Sequence, residues 1–418
     1  MKKTLFTLSL LFITSLACAE KISWDAVVRR TVDTNPLIQS AKLRLENAKQ
    51  SYNRSLSGYM PIVSLRGNAS QGSTDDDFAR NYSYGLNASL SLFSGFNTYN
   101  DVKQRSAEVK TAQAAYDRIV SDAAYEAATQ YINLMWAYET VELSEKILER
   151  RKENKDMINL KYNSGNVDAG SLRRVEADVE LTSYDLRKAQ RYIETASSAL
   201  LKAIGRKDGG EILETDERLN LSEREVAKPY FADIISKTPE YLTAQYNIEI
   251  SKAQSAKAKS AWYPDISLSG NLSRSGREWA PDIDGWDAGL SVSYPLFSGG
   301  TTIADTKIAS NQLKISEENF KNQVNLLEAS AVSYFNNLTD AVESISVREY
   351  YLSAARLQAE ISARKYVNGL STYQEWYLIE NDYINAQKTF LDVKRSAALE
   401  KSRWRNFTGE GFAETIGN

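Results

Sequence analysis

Two segments of the chain alternate between apolar and small polar residues. In residues 82–92, every second side chain is apolar or aromatic, and the side chains between them are Ser, Gly or Asn. Residues 286–296 repeat the alternation, and shorter alternating runs precede the two segments at 63–70 and 266–273. A period of two is typical of strands with one apolar and one polar face. The pattern therefore predicts four strands, arranged as two pairs.

The predicted strands carry aromatic residues near both ends, and Gly-, Asp- and Ser-rich loops at 71–81 and 275–285 join each pair. Strands of about ten to twelve residues, tilted by about 40°, cover about 30 Å, enough for the apolar band of an outer membrane. A soluble sandwich of two sheets explains the alternation but not the aromatic ends. The candidate lipid-interface aromatics are Tyr82, Tyr84, Trp262, Tyr263 and Trp286.

Most of the remaining sequence has a helical period. Between residues 324 and 359, mostly apolar positions step by three and four in strict alternation, as in a coiled-coil seam. No proline or glycine interrupts residues 96–161 or 301–366, so each segment is predicted to form one helix of about 100 Å. The seam positions are Val324, Leu327, Ala331, Tyr334, Leu338, Ala341, Ile345, Arg348, Leu352, Ala355 and Ala359.

A glycine follows each long helix, at Gly165 and Gly369, and a second amphipathic segment then runs towards Gly205 or Gly409. Glycine permits the backbone conformations that a sharp reversal requires. Each long helix is therefore predicted to turn at its glycine and return as a second helix.

The same order of elements occurs twice, because the chain is an internal duplication. Leu-Phe-Ser-Gly at 92–95 recurs at 296–299, and Gly165 and Gly205 recur as Gly369 and Gly409, each 204 positions later. A repeat of this length is a large structural unit rather than a solenoid module. The predicted organisation is a signal peptide (1–19), a first repeat (20–205), a linker (206–228), a second repeat (229–409) and a C-terminal tail (410–418).

The N-terminus predicts export from the cytoplasm. Two lysines, an uncharged apolar run at 4–16 and Ala17-Cys18-Ala19 are typical of a secretory signal cleaved before Glu20. The alternative is a lipid-modified Cys18, but Ser15 occupies the position where that processing signal prefers a branched apolar residue.

Composition excludes several classes of function. The chain has no histidine and one cysteine, which excludes Ser-His and Cys-His nucleophiles and ordinary zinc sites. A net charge of −3 without a basic cluster gives no sign of a nucleic-acid partner. No phosphate-binding loop is present, and no acid pair has the motif support that an envelope glycosidase needs. We therefore expect no catalytic residue, no metal and no cofactor.

The number of strands predicts self-association. The smallest transmembrane barrels have about eight strands, and an open sheet edge in lipid leaves backbone groups unpaired. Four strands per chain must therefore be pooled, with two chains giving eight and three giving twelve strands.

The order of these elements resembles the TolC family of outer-membrane efflux proteins over essentially the whole chain, including Leu-Phe-Ser-Gly at 92–95 and Tyr-Pro-Leu-Phe-Ser-Gly-Gly at 294–300. The resemblance implies an α+β membrane protein, in which a long α-helical coiled-coil barrel continues a transmembrane β-barrel shared between protomers. It implies a homotrimer in the outer membrane, with helices extending into the periplasm. Its implied partners are outer-membrane lipid, a periplasmic adaptor and an inner-membrane pump of the RND or ABC type.

The resemblance also implies sites at the helix tips. Gly165 and Gly369 are candidate adaptor contacts as well as turn formers. The family's acidic constriction ring corresponds to Glu375, whose alternative role is that of an ordinary solvated helix charge. The family's second acidic ring corresponds to Leu378, and its basic partner corresponds to Ser371. In the first repeat, family members often carry an aspartate six residues after the glycine. Ser171 occupies that position here, and Asp168 lies three residues before it. These departures from the family pattern weaken the case for a charged latch, and the alternative is closure of the tip by packing of Tyr373, Trp376 and Leu378.

The resulting hypothesis is a passive exit duct for tripartite efflux or type I secretion. The alternative is a periplasmic structural or adhesive coiled-coil protein with a soluble β domain. Partition into outer-membrane fractions distinguishes the two.

Overall fold

The computed structural model describes residues 20–74, 77–207, 211–215, 217–219 and 227–409. Long helices and one four-stranded sheet dominate these residues. In chain order the elements are β1 (Glu20–Lys21), α1 (Trp24–Thr34), α2 (Pro36–Leu56), β2 (Ile62–Thr74), β3 (Asp77–Ser94), α3 (Asn97–Asn163), α4 (Ala169–Ala203), β4 (Leu213–Glu214), α5 (Phe231–Ile235), α6 (Pro239–Ala258), β5 (Asp265–Gly276), β6 (Ile283–Ser293), α7 (Thr301–Val367) and α8 (Tyr373–Thr408).

The four predicted strands form one antiparallel sheet in the order β2-β3-β5-β6. The two hairpins come from different repeats, and β3 joins them by pairing with β5, as in the pair Leu86 and Leu272. The α+β fold predicted from the sequence is therefore confirmed.

Three strand boundaries differ from the prediction. The predicted loop at 275–285 was too long, because β5 reaches Gly276 and β6 begins at Ile283. The predicted loop at 71–81 was too long, because β2 and β3 stay paired as far as Thr74 and Asp77. Backbone hydrogen bonds continue the ladder there even though the apolar alternation has ended. The prediction that the last strand reaches Leu296 was also wrong, since β6 ends at Ser293. Pro295 has no amide hydrogen and a fixed φ, which does not favour continued pairing.

The two long helices, α3 and α7, each contain 67 residues. Along α7, the predicted seam includes five buried side chains, at Leu327, Ala331, Leu338, Ala355 and Ala359. Alanine at three of these positions lets neighbouring helices approach closely. No helix among the described residues is both long enough and apolar enough to cross a membrane.

Both long helices end in the same glycine motif. Gly165 donates its amide to Tyr162 O (2.9 Å), and the next residue, Asn166, donates to Lys161 O (2.9 Å). This pair of bonds is a Schellman motif, which requires a left-handed residue at the position of the glycine. Gly165 and Gly369 have φ values of +78° and +74°. The predicted turns are therefore present in both repeats.

The described chain forms two compact units, and each draws on both repeats. Unit 1 contains residues 1–36, 121–229 and 333–418, and unit 2 contains residues 37–120 and 230–332. Unit 1 has an apolar core around Val27, Tyr131, Leu134, Leu200 and Leu213. Unit 2 contains the four-stranded sheet.

Parts of the predicted domain organisation lie outside the described residues. These parts are the signal peptide (1–19) with Cys18, the tail (410–418) and much of the linker (206–228). Within the linker, β4 pairs in parallel with β1, so Leu213 lies beside Glu20. The repeat boundaries themselves stay predictions.

Candidate functional site

The sheet of unit 2 has one apolar face that the described residues leave exposed. The pairing register aligns Leu65, Leu86, Leu272 and Trp286 in one row across all four strands. Leu65 is 74% exposed and Trp286 is 78% exposed. A soluble sheet buries such a face against another layer. An exposed apolar face of this extent is instead typical of a surface that contacts lipid or protein.

The opposite face of the sheet is polar. The register aligns Ser64, Asn87, Asn271 and Asp287 in one row, one residue away from the apolar row on each strand. Asn271 Nδ2 donates to Asp287 Oδ1 at 3.1 Å. Ser, Asn and Asp side chains on this face are suited to contact with water.

Aromatic residues form two groups in unit 2. Near the loop ends of the strands, the ring centroid of Trp279 lies 6.0 Å from that of Tyr82 and 6.4 Å from that of Tyr84. Where the strands meet the helices, Tyr263 packs edge-on against Phe96 at 5.6 Å.

The remaining two predicted interface aromatics make few contacts. Trp262 is half exposed, and its Nε1 donates to Thr306 Oγ1 at 3.2 Å. Trp286 is exposed on the apolar face. Trp279, which the sequence reasoning did not select, lies outside the alternating segments, so periodicity gave no signal for it.

The glycine turns lie at the ends of the helical hairpins of unit 1. A Cβ atom added to Gly165 or Gly369 would find no heavy atom within 4 Å among the described residues. Leu370, next to the second turn, is also exposed. The turns therefore present backbone, and at the second turn the apolar side chain of Leu370, to their surroundings.

Beside these turns, a cluster of aromatic residues packs within the chain. Trp376 is fully buried and stacks on Tyr366, with ring centroids 5.0 Å apart and planes 12° apart. Tyr373 lies 5.9 Å from Trp376, and its hydroxyl donates to Ser171 O at 3.3 Å. Burial raises the pKa of Tyr373 to about 12, and Tyr377 adds to the shift. Trp376 and Tyr373 are thus brought together, whereas Leu378 is exposed.

The two predicted carboxylates lie at helix N-termini. Asp168 caps α4, where its carboxylate accepts hydrogen bonds from the Ser171 hydroxyl (2.7 Å) and the Ser171 amide (2.9 Å). These bonds hold the pKa of Asp168 below its ordinary value. Glu375 is exposed in the first turn of α8, where its amide donates to the capping Thr372. Asp168 therefore caps a helix of its own chain, and the side chain of Glu375 is exposed.

A buried charge pair near the tip escaped the sequence reasoning. Glu380 is 1% exposed and accepts a bidentate interaction from Arg150, with Nη2 to Oε2 at 2.8 Å. Asn154 Nδ2 donates to Glu380 Oε1 at 2.9 Å, and Arg150 lies 4.9 Å from the Tyr383 ring. Hydrogen bonding to Glu380 raises the pKa of Arg150. The partners are 230 residues apart in the chain, so no local motif signals the pair.

The described residues contain no group of three His, Cys, Asp or Glu placed to hold a metal ion.

Comparisons with known proteins agree with this arrangement. Residues 27–206 and 233–410 match the family described as outer membrane efflux protein. The cation efflux system protein CusC of Escherichia coli O157:H7 is 21% identical over 402 residues, covering 93% of this chain and 86% of the relative.

Solved structures show the same fold. The crystal structure of CusC matches with a TM-score of 0.83 at 17% identity, covering 92% of this chain and 91% of that chain. The outer membrane protein VceC of Vibrio cholerae matches with a TM-score of 0.81 at 16% identity, covering 92% of this chain and 96% of that chain. Because the family match extends over both repeats, the chain belongs to the outer membrane efflux protein family.

Proposed function

We propose that three copies of this chain assemble into an outer-membrane exit duct. In this assembly, the twelve pooled strands close a barrel, and the helices continue it as a periplasmic tunnel. The duct performs no chemistry of its own, and its helix tips dock with a periplasmic adaptor and an inner-membrane pump.

The strongest support for the proposal is the exposed apolar face of the sheet. The row of Leu65, Leu86, Leu272 and Trp286 has no covering layer in the described chain, which supports contact with lipid. The polar row containing Asn271 and Asp287 then faces the lumen.

The edges of the sheet support self-association. In the described chain, β2 pairs only with β3, and β6 pairs only with β5. Each unpaired backbone group costs several kcal/mol in lipid. A single-chain sheet with two open edges would leave many such groups unpaired and would therefore be unstable in the membrane. Pairing of β2 with β6 of the next copy removes both edges and closes the ring.

The tips support docking. The turns at Gly165 and Gly369 are open, and Leu370 and Leu378 expose apolar side chains close to them. Such apolar side chains beside a tight turn suit a contact with another helical hairpin. The pump then selects the cargo, because a passive duct shared by many substrates contributes little selectivity.

The assembly is tested in native membranes. We expect the protein in the outer-membrane fraction, with a trimeric band that dissociates on heating, as closed barrels commonly do. Chemical crosslinking should stop at three copies. A water-soluble monomer that needs no detergent would instead support the periplasmic coiled-coil alternative.

The constriction is tested by single-channel recording in planar bilayers. We expect Glu375→Ala to change the conductance or to lower the preference for cations, because the side chain is exposed beside the tip turn. Glu349→Ala, an equal change of charge at an exposed position 26 residues away, is the control. Unchanged recordings for Glu375→Ala would remove this residue from the gate.

A further inference from the structure

Three helices of unit 1, α3, α4 and α8, enclose a groove of about 640 Å³. Sites that bind small organic molecules commonly have volumes of about 300–1,000 Å³. Each helix contributes residues spaced by three and four positions, as Lys388, Leu391 and Arg395 do on α8. Residues with this spacing lie on one face of a helix. The groove therefore lies where three helix faces meet, at a position that a packed core would otherwise fill.

One wall of the groove is aromatic. Trp136 on α3 packs edge-on against Tyr192 on α4, with ring centroids 5.6 Å apart. Trp136 Nε1 donates to Asp392 Oδ1 at 3.1 Å, and the guanidinium carbon of Arg395 lies 4.6 Å from the centre of the Trp136 ring. Residues of α4 and α8 thus fix the orientation of the indole. A fixed aromatic surface of this kind suits the flat ring system of a ligand.

Two hydroxyl groups line the groove without a hydrogen-bond partner. Ser144 is 8% exposed, and its hydroxyl forms no hydrogen bond among the described residues. Thr140 Oγ1, one turn earlier on α3, is fully buried and likewise has no partner there. A buried hydroxyl without a partner has lost its hydrogen bonds to water and gained none in return. These hydroxyls therefore provide unused hydrogen-bonding capacity beside the aromatic wall.

The charges around the groove are predominantly positive. Lysine and arginine side chains contribute four positive charges, and aspartates contribute two negative charges. Both aspartates have partners, because Asp185 pairs with Lys388 at 3.5 Å and Asp392 accepts the indole hydrogen bond. Lys188 and Arg191 are exposed and have no ion-pair or hydrogen-bond partner among the described residues. Because the whole chain has a net charge of −3, this excess of positive charge is a local feature.

The aromatic wall is specific to the first repeat. Helices α3 and α7 begin 204 positions apart, and so do α4 and α8. At the positions equivalent to Trp136 and Tyr192, the second repeat has Asp340 and Ser396. Both repeats form the same helical hairpin, so the fold does not require the aromatic pair. This difference favours a local role for the groove.

We propose that this groove binds a small amphipathic organic anion. The flat apolar part of the ligand packs against Trp136 and Tyr192, and its carboxylate or sulfonate group binds Lys188 and Arg191. The hydroxyl of Ser144 forms a hydrogen bond with a polar substituent on the ring system. All of these residues belong to one chain, so the site goes beyond the proposed duct and does not depend on its assembly.

Equilibrium dialysis with radiolabelled 2-naphthoate tests the site in the full-length protein in lipid nanodiscs, with empty nanodiscs as the blank. This probe combines a flat ring system with one carboxylate. We expect one saturable site per chain. The neutral analogue 2-naphthylmethanol should compete about tenfold more weakly, because it lacks the charge that the lysine and arginine bind. Acetate, which has the charge without the rings, should not compete at the same concentration.

The variant K188Q/R191Q removes both unpartnered charges at exposed positions. We expect it to bind 2-naphthoate about tenfold more weakly, because each charge contributes a partly solvated ionic contact. R187Q/K202Q removes two exposed charges from the same helix outside the groove, and it is the matched control with wild-type affinity expected.

Three results would overturn the proposed site. The first is the absence of saturable binding at millimolar 2-naphthoate, and the second is equal affinity in K188Q/R191Q and wild type. The third is equally strong competition by 2-naphthylmethanol, which would indicate a purely apolar groove. Each of these results leaves the proposed duct unaffected, because the groove is built from one chain.

Discussion

The buried pair of Arg150 and Glu380 gives the sharpest prediction about the helical tips. Removing Arg150 leaves a carboxylate that is 1% exposed with Asn154 as its remaining donor. Breaking a buried pair in this way costs about 3–5 kcal/mol. Arg150 itself is 32% exposed at its side chain. We therefore expect the lower end of that range, about 3 kcal/mol, for Arg150→Met.

The reverse change should cost less. After Glu380→Leu, the guanidinium of Arg150 can be hydrated and still stacks on the Tyr383 ring, 4.9 Å away. We expect a loss of about 1 kcal/mol. The double variant Arg150→Met/Glu380→Leu replaces both charges by apolar groups and should be close to neutral. We therefore expect the double variant to be the most stable of the three, followed by Glu380→Leu, with Arg150→Met the least stable.

Hydrogen exchange in residues 376–386 of α8, followed by mass spectrometry in detergent at pH 7, measures this order. A loss of about 3 kcal/mol corresponds to about a 100-fold fall in protection, and about 1 kcal/mol corresponds to about fivefold. Equal loss of protection in Glu380→Leu and Arg150→Met would show that the buried carboxylate is not the costly group of the pair. A double variant as labile as Arg150→Met would show the same.

Three further predictions concern the turns and the tip. Alanine at Gly165 or Gly369 should destabilise the fold only by the left-handed backbone strain, about 1–2 kcal/mol. Alanine at Gly205 should lower the melting temperature more than either of these changes, because its Cβ would lie 2.5 Å from a backbone oxygen. The hydrogen bonds from Ser171 lower the pKa of Asp168 in the folded protein. The cap therefore contributes fully to the free energy of unfolding above the unfolded pKa of Asp168, and this contribution is lost as the pH falls through its folded pKa. Hydrogen exchange at residues 169–173 should thus be faster in Asp168→Ala than in wild type at pH 7, and equal exchange there would contradict the cap. Burial raises the pKa of Tyr373 to about 12. Its contribution to the free energy of unfolding is therefore complete below the unfolded pKa of about 10, and it is lost as the pH rises through about 12. The 295 nm titration of wild type minus Tyr373→Phe should show one tyrosine ionising near pH 12, and ionisation near about 10 would contradict its burial.

The local periods explain why much of the fold was predictable. Alternation in residues 82–92 and 286–296 reports which face of a strand is apolar, whatever lies on that face. The uninterrupted segments 96–161 and 301–366 became α3 and α7, and the glycines after them became the turns. The end of β6 was missed because alternation continues past Ser293, although Pro295 prevents further pairing.

The candidate site was less predictable, because its contacts join distant parts of the chain. Trp376 and Tyr373 were selected as packing residues, and the structure places them in one cluster. Glu380 was missed because a carboxylate on a helix is ordinarily solvated, and Arg150 lies in the other repeat.

Local sequence specifies the elements, their duplication and the apolar and polar faces of the strands, since these depend on neighbours within a turn or two of helix or a few strand residues. Folding in three dimensions sets the pairing of β3 with β5, the burial of Glu380 and the greater exposure of α7 compared with α3. Burial and pairing cannot be read locally, because they depend on which surfaces meet in space. The two repeats carry the same order of local signals, but they acquire different neighbours once the chain folds.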